Sequence, residues 1–270
     1  GRYGKHSRRD RRKKKGGIIS TVILIVAICV FAFSAFQLYK IFNGYHKGES
    51  EYDDLVKLAV TEDKGEQENG TDDQDGSRFS VDFDALRQIN PDVVAWIRFD
   101  EPAVINYPVV QGSDNSEYLS KTFKGYDNTV GTIFVNAYNH ADFNDRNTII
   151  YGHYMYNGTM FNELEQYHEK SFWEKYPSFY IYTPDGKIRT YTVFSAAVVK
   201  DTADQYNLNY ATDEAFESYL KMCKEDSAYD TGTEVNAQSQ IVSLSTCTNV
   251  REDERFLLQG VLTATDGGEN

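Results

Sequence analysis

Apolar and polar positions along the chain fall into three regimes. From Ile18 to Phe36 the sequence is an unbroken run without a charge, and its only polar members are Ser20, Thr21 and Ser34. Their hydroxyls can bond back to helix carbonyls. As a helix rising 1.5 Å per residue, this run covers about 28 Å, close to the hydrocarbon thickness of a bilayer. Lys47–Ser77 is poor in large apolar residues, and Thr61–Ser77 contains none. Burial there cannot offset the entropy of ordering, so the segment reads as a solvated stalk, with one or two helical turns at Tyr52–Val60.

From about residue 79 the pattern alternates between short strands and a few helices. Val81–Ile89 and Pro91–Ala95 read as helical, with Asp82 and Asp92 suited to a first turn. Trp96–Phe99, Ile105–Val110, Gly131–Val135 and Thr148–Met155 are rich in β-branched and aromatic residues and read as strands. Thr159–Tyr176 has helical spacing at Met160, Phe161, Leu164, Tyr167 and Phe172. Phe179–Thr183 and Ile188–Val199 flank Pro184-Asp185-Gly186, a hairpin signal. Thr212–Lys224 is an amphipathic helix capped by Thr212 or Asp213, and Ile241–Thr246 and Phe256–Thr263 are the last strands. The expected fold is mainly β: a closed or nearly closed barrel of seven to eight strands, with N-terminal helices and a long helix before the last strand pair.

Charge divides the chain along the same lines. Residues 1–15 hold nine bases against the single acid Asp10, whereas beyond residue 43 there are 18 bases and 40 acids. A buried core helix has no need of nine flanking cations. A cleaved signal peptide calls for a shorter apolar run and a small-x-small cleavage site, which Phe33-Ser34-Ala35-Phe36 does not supply. A basic nucleic-acid tail is disfavoured by its nearness to the apolar run. An uncleaved anchor fits, with Tyr39 and Lys40 at the interface. The positive-inside rule leaves 1–17 cytoplasmic, 18–42 in the membrane and the remainder outside. The expected organisation is thus a basic tail (1–17), an anchor (18–42), an acidic extracellular stalk (43–78) and one folded domain (79–270). The net charge of −13 excludes nucleic acid as the partner of the whole molecule, and three cysteines exclude a disulfide scaffold.

Chemistry narrows to three side chains. Cys29 lies in the apolar run. Cys223 sits beside Met222 in the amphipathic helix as a small core residue. Cys247 ends a strand where a loop begins, which fixes its backbone while presenting its side chain; a structural cysteine or a Cys223–Cys247 disulfide is the alternative. His153 also ends a strand, after Gly152, whose lack of a side chain allows close backbone approach. Arg255 follows Cys247 by a spacing that suits a tight antiparallel return. His140, Asp142 and Asp145 have no specific metal-ligand spacing and read as a solvated loop.

Ser243-Leu-Ser-Thr-Cys247-Thr, with Arg255-Phe-Leu-Leu-Gln-Gly after it and Asn147-Thr-Ile-Ile-Tyr-Gly-His153 before it, resembles a sortase. Ile105–Gly112, Gly131–Phe134, Thr159–Leu164 and the long helix at 212–224 resemble class B members. The resemblance covers roughly 80–265, together with the anchor-first layout. It implies a cysteine transpeptidase on the outer face of a Gram-positive membrane. Such an enzyme cleaves surface proteins at a C-terminal sorting motif of Leu-Pro-x-Thr-Gly or Asn-Pro-x-Thr type, forms a thioacyl-enzyme, and passes the acyl group to an amine of the peptidoglycan cross-bridge or to a pilin lysine.

In that reading Cys247 is the nucleophile, His153 the general acid/base and Arg255 the oxyanion or substrate clamp. Unperturbed pKa values leave only about 1% of molecules as the thiolate–imidazolium pair at neutral pH, which a nearby guanidinium improves. An oxyanion donor is worth about 3–4 kcal/mol. The resemblance also places Asn115, Leu119, Tyr151, Thr202, Tyr206, Ser245 and Thr246 along the substrate groove, each of which is equally explained by packing or turn formation. Thr248 departs from relatives that carry an acid after the cysteine, leaving Glu252, Asp253 and Asp142 as candidates for an acidic partner of His153. No cofactor and no metal is implied. Two alternatives remain: a thiol peptidase that gives the acyl group to water, and a non-catalytic surface barrel acting as a scaffold.

Overall fold

The computed structural model describes residues 10–63, 78–100, 105–247 and 253–268. It divides into two units, one ending at His46 and the other beginning at Lys47. The first consists of the N-terminal part of helix α1 (Asp10–Ala59). From Ile18 to Phe42 its large apolar side chains are exposed on every face, and the helix is long and apolar enough to cross a membrane.

The second unit starts with the rest of α1, which corrects the stalk expected over 43–78. Tyr52, Leu55 and Ala59 are buried, and β1 (Val60–Asp63) pairs antiparallel with β2 (Arg78–Val81). The acidic composition of this stretch concealed a single apolar face at helical spacing. Residues 64–77 of the expected stalk lie outside the described residues.

Helix α2 (Phe83–Ile89) is capped by Asp82, whose Oδ1 accepts the Ala85 N–H at 2.9 Å. The helix expected at 91–95 is instead a turn followed by β3 (Val93–Phe99). Val93 and Val94 favour extended backbone, and β3 is hydrogen-bonded on both sides, so the tertiary pairings override the local helical signal. Beyond it come β4 (Asn106–Val110), β5 (Ile133–Val135) and β6 (Asn147–His153). The helix expected at 159–176 is a 3₁₀ segment, Asn162–His168, followed by the short α3 (Lys170–Lys175). Its apolar spacing was nonetheless informative, since Met160, Phe161, Leu164 and Tyr167 are all buried. β7 (Ser178–Tyr182) and β8 (Lys187–Lys200) flank the Pro184-Asp185-Gly186 turn, α4 (Asp213–Asp226) follows, and β9 (Ile241–Cys247) and β10 (Glu254–Gly267) finish the chain.

The eight strands β3–β10 close into a barrel in the order β10-β8-β7-β3-β4-β5-β6-β9. All pairings are antiparallel except β4–β5 and β6–β9. Trp96, Ile97, Ile149, Phe179 and Leu258 are among its fully buried side chains. Helix α4 is capped by Thr212 and lays Phe216, Tyr219, Leu220 and Cys223 against Phe194, Ile241 and Val261. Beneath it a buried polar network joins three strands. Gln259 of β10 donates to Ser243 of β9 (2.9 Å) and to the Tyr219 hydroxyl (3.0 Å), while Ser243 donates to Asn147 Oδ1 of β6 (2.8 Å). Such a network is stabilising because its buried donors find acceptors.

Gly152 permits the tight packing of β6. A Cβ added there would lie 2.5 Å from Ile133 Cδ1 and 2.6 Å from Phe161 Cδ2. Gly152→Ala is therefore expected to lower unfolding stability by about 1–3 kcal/mol through overpacking, read as a lower denaturant midpoint at unchanged m-value. An unchanged midpoint would mean that the two side chains yield freely.

Candidate active site

Parallel pairing of β6 and β9 brings the candidate residues together. Tyr151 pairs with Ser245, Gly152 with Thr246, and His153 with Cys247 as Cα partners. On the other side of β9, Leu257 of β10 pairs with Ser245, so Arg255, two residues before Leu257, lies toward the same strand end as Cys247, two residues after Ser245. Three residues distant in sequence thus sit at one end of three adjacent strands. For Cys247 the described part is the backbone, while Thr248 and Glu252 lie outside the described residues.

The imidazole of His153 is half-buried and its orientation is defined. Nε2 lies 2.6 Å from the backbone carbonyl of Leu119. A carbonyl only accepts, so Nε2 carries the proton and donates it, leaving Nδ1 as the nitrogen that can exchange one. Nε2 is thus satisfied by a main-chain oxygen and not by Asp142 or Asp253. Asp142 instead accepts from the Asn144 N–H (3.0 Å), and Asp253 pairs with Lys200 (3.8 Å). Arg255 is held from behind: its guanidinium forms an ion pair with Asp201 (3.7 Å) and donates to the Glu254 carbonyl (2.8 Å).

A groove of about 910 Å³ opens beside this strand end. Asn115, Leu119, Tyr151, Tyr206, Ser245 and Arg255 line it, all of them singled out from the sequence. The Tyr206 hydroxyl lies 2.7 Å from Ser245 Oγ, and the Tyr151 and Tyr206 rings run nearly parallel with centroids 6.5 Å apart. Asn115 turns its Oδ1 to the Ala137 N–H (2.7 Å). Two other candidates are placed differently. Thr246 is fully buried, with its hydroxyl bonded to the Phe256 N–H (3.0 Å), and so staples β9 to β10. Thr202 occupies an exposed turn after β8 and does not line the groove.

Sequence reading passed over Asn136, Tyr138, Asn139, His140 and Asp145, which also line the groove. The Asn136 amide donates to the Tyr151 hydroxyl (3.0 Å) and thereby fixes one aromatic wall. Asp145 accepts from His140 twice, from the backbone N–H (2.8 Å) and at Nδ1 (2.7 Å). A run of Asn and His between strands looks like any solvated loop until its closing carboxylate is seen. Cys223 is buried and free, its thiol pushed up to about 11 by burial. Among the described residues no group of three or more His, Cys, Asp or Glu side chains is placed to hold a metal ion.

Residues 100–263 match the Sortase domain family model. The chain belongs to the class B sortases. Sortase B of Listeria monocytogenes is 31% identical over 245 residues, which cover 89% of this chain and 95% of that protein. The crystal structure of sortase B from B. anthracis superposes with a TM-score of 0.68 at 30% identity, covering 83% of this chain and 99% of that one. The Staphylococcus aureus sortase B–substrate complex gives 0.63 at 30% identity, over 67% of this chain and 84% of that one. This sortase is therefore a member of a transpeptidase family, and the groove described above lies on a fold shared with those relatives.

The His140–Asp145 pair gives the sortase groove a pH signature. The hydrogen bond to Asp145 and then its charge raise the His140 pKa above the ordinary value of 6.5. The folded chain thus holds the proton more tightly than the unfolded chain. The resulting stabilisation is fully present below about 6.5 and is lost as pH rises through the raised value. His140→Gln is expected to flatten the decline in melting temperature expected of wild type as pH rises from about 6.5 through the raised value. An identical decline in both proteins would overturn this assignment.

Proposed function

We propose that this sortase cleaves surface proteins at a C-terminal sorting motif and transfers them through a Cys247 thioacyl intermediate. The observation that supports the reading is strand register: His153 pairs with the Cys247 backbone, and Arg255 lies toward the same end of the neighbouring strand. The Cys247 thiolate attacks the scissile carbonyl, and the displaced electron pair collects on the carbonyl oxygen. The Arg255 guanidinium donates hydrogen bonds to that oxyanion, a contribution of about 3–4 kcal/mol per donor. Protonated His153 delivers its proton from Nδ1 to the departing amine, while Nε2 stays bonded to Leu119. The imidazole, now neutral, removes a proton from the incoming amine, whose attack releases the thiolate.

That the S. aureus sortase B of the same fold forms a substrate complex supports reading the groove as the peptide site. Asn115, Tyr151, Tyr206 and Ser245 are then the side chains that meet an extended peptide. The acceptor is an amine of the peptidoglycan cross-bridge or a pilin lysine. The apolar helix anchors the enzyme with its nine N-terminal bases in the cytoplasm and its barrel outside, where both substrates are found.

Incubation of the full chain with a panel of sorting peptides, followed by acid quench and intact mass spectrometry, is expected to show a thioacyl adduct on Cys247. Added amine should discharge it to a transpeptidation product. Cys247→Ala should eliminate the adduct, and Arg255→Ala should slow its formation by roughly a hundredfold or more. Release of hydrolysed peptide alone, at a rate unaffected by amine, would assign a peptidase instead. A thiol reagent at mildly alkaline pH should modify Cys247 and spare Cys223 until denaturant is added, because a buried thiol with a pKa of about 11 is scarcely ionised.

A further inference from the structure

The last turns of α1 connect to the histidine at the end of β6. Gly48, Glu51, Tyr52 and Leu55 share one helix face. Three of them hold the loop between residues 121 and 132. Gly48 lies so close to Val130 that an added Cβ would be 2.9 Å from its Cγ2. The Glu51 carboxylate accepts the Lys124 N–H at 2.8 Å. The Tyr52 hydroxyl donates to the Gly131 carbonyl at 2.5 Å and lies 3.1 Å from Thr132 Oγ1. Thr132 passes the constraint on: its hydroxyl donates to the Lys121 carbonyl (2.7 Å), and its N–H donates to the Tyr118 carbonyl (3.0 Å). Burial pushes the Tyr52 hydroxyl well above the usual phenol range, so it is a neutral donor under all working conditions.

Gly131 is the junction. Its φ is +62°, and an added Cβ would sit 2.9 Å from the Leu119 oxygen and 3.0 Å from His153 Cδ2. The backbone that Tyr52 grips is therefore packed against both partners of the His153–Leu119 bond. Gly131 thus sits against the acceptor that holds the imidazole Nε2–H.

The geometry points to Tyr52 as a positioning residue for His153, making the segment of α1 next to the anchor a working part of the active site. It acts through Gly131, Thr132 and the Leu119 carbonyl, and it touches no substrate. This rests on the reading of His153 as the acid–base group.

The test uses the full chain in detergent micelles and three proteins: wild type, Tyr52→Phe and Leu55→Ala. Leu55 is buried on the same helix face, so its truncation controls for lost packing. Two quantities are read besides melting temperature: kcat and KM for a cleaved sorting peptide, and the downfield imidazole N–H resonance of His153, assigned by its loss in His153→Gln. Tyr52→Phe is expected to lower kcat by roughly three- to thirtyfold with KM within about twofold, and to broaden or abolish the resonance. Leu55→Ala should lower the melting temperature and leave both readouts in place. A Tyr52→Phe protein with unaltered kcat and an intact resonance would overturn the assignment, as would equal losses in Leu55→Ala. If wild type turns over no peptide, the catalytic reading of the site fails, whereas the resonance still reports whether Tyr52 positions the ring.

Discussion

Because β6 and β9 run in the same direction and are paired residue for residue, both strands end at the same rim of the barrel. A shift of one residue would turn every β9 side chain to the opposite face and separate His153 from Cys247. Much of the surrounding structure resists such a slip. The Ser243–Gln259–Tyr219–Asn147 network bonds β6, β9 and β10 below the rim. Thr246 fastens β9 to Phe256 nearer the top, and the missing side chain at Gly152 lets Ile133 and Phe161 close against β6. Stability and the geometry of the proposed catalytic residues are therefore maintained by the same contacts.

Two kinds of group surround the proposed reactive end. Rigid strand termini supply Cys247, His153 and Arg255, while loops supply what orients them: the Leu119 carbonyl for the imidazole and the Asp201 carboxylate for the guanidinium. Asp201 also holds Arg255 without removing it from the groove, since the arginine remains part of the lining. Aromatic and amide side chains such as Tyr151, Tyr206 and Asn136 brace one another by hydrogen bonds and ring contacts, giving the groove a shape before any peptide arrives. Preformed walls of this kind reduce the ordering cost of binding an extended chain.

The strands that carry the proposed catalytic residues were legible in the sequence because β-branched runs end abruptly at His153 and Cys247, and the motif resemblance tied them together. The barrel and α4 with its Thr212 cap followed from periodicity and local chemistry. What escaped detection had nonlocal or main-chain origins. A backbone carbonyl has no residue signature, so the partner of His153 could not be read from residue types, and acidic residues were considered instead. Val93 lies in a locally helical-looking stretch that two neighbouring strands claim. Tyr52, Leu55 and Ala59 are dispersed among acids, and only their docking onto the folded unit reveals a face. Thr246 bears a motif position and spends its hydroxyl on strand pairing, a choice that composition cannot disclose.

Barrel closure has a consequence for the order of events during synthesis. β9 emerges long after β6, and only when β10 follows can it be flanked on both sides. A chain cut before β10 carries the thiol and the imidazole but lacks Arg255 and the strand that flanks β9 on its other side.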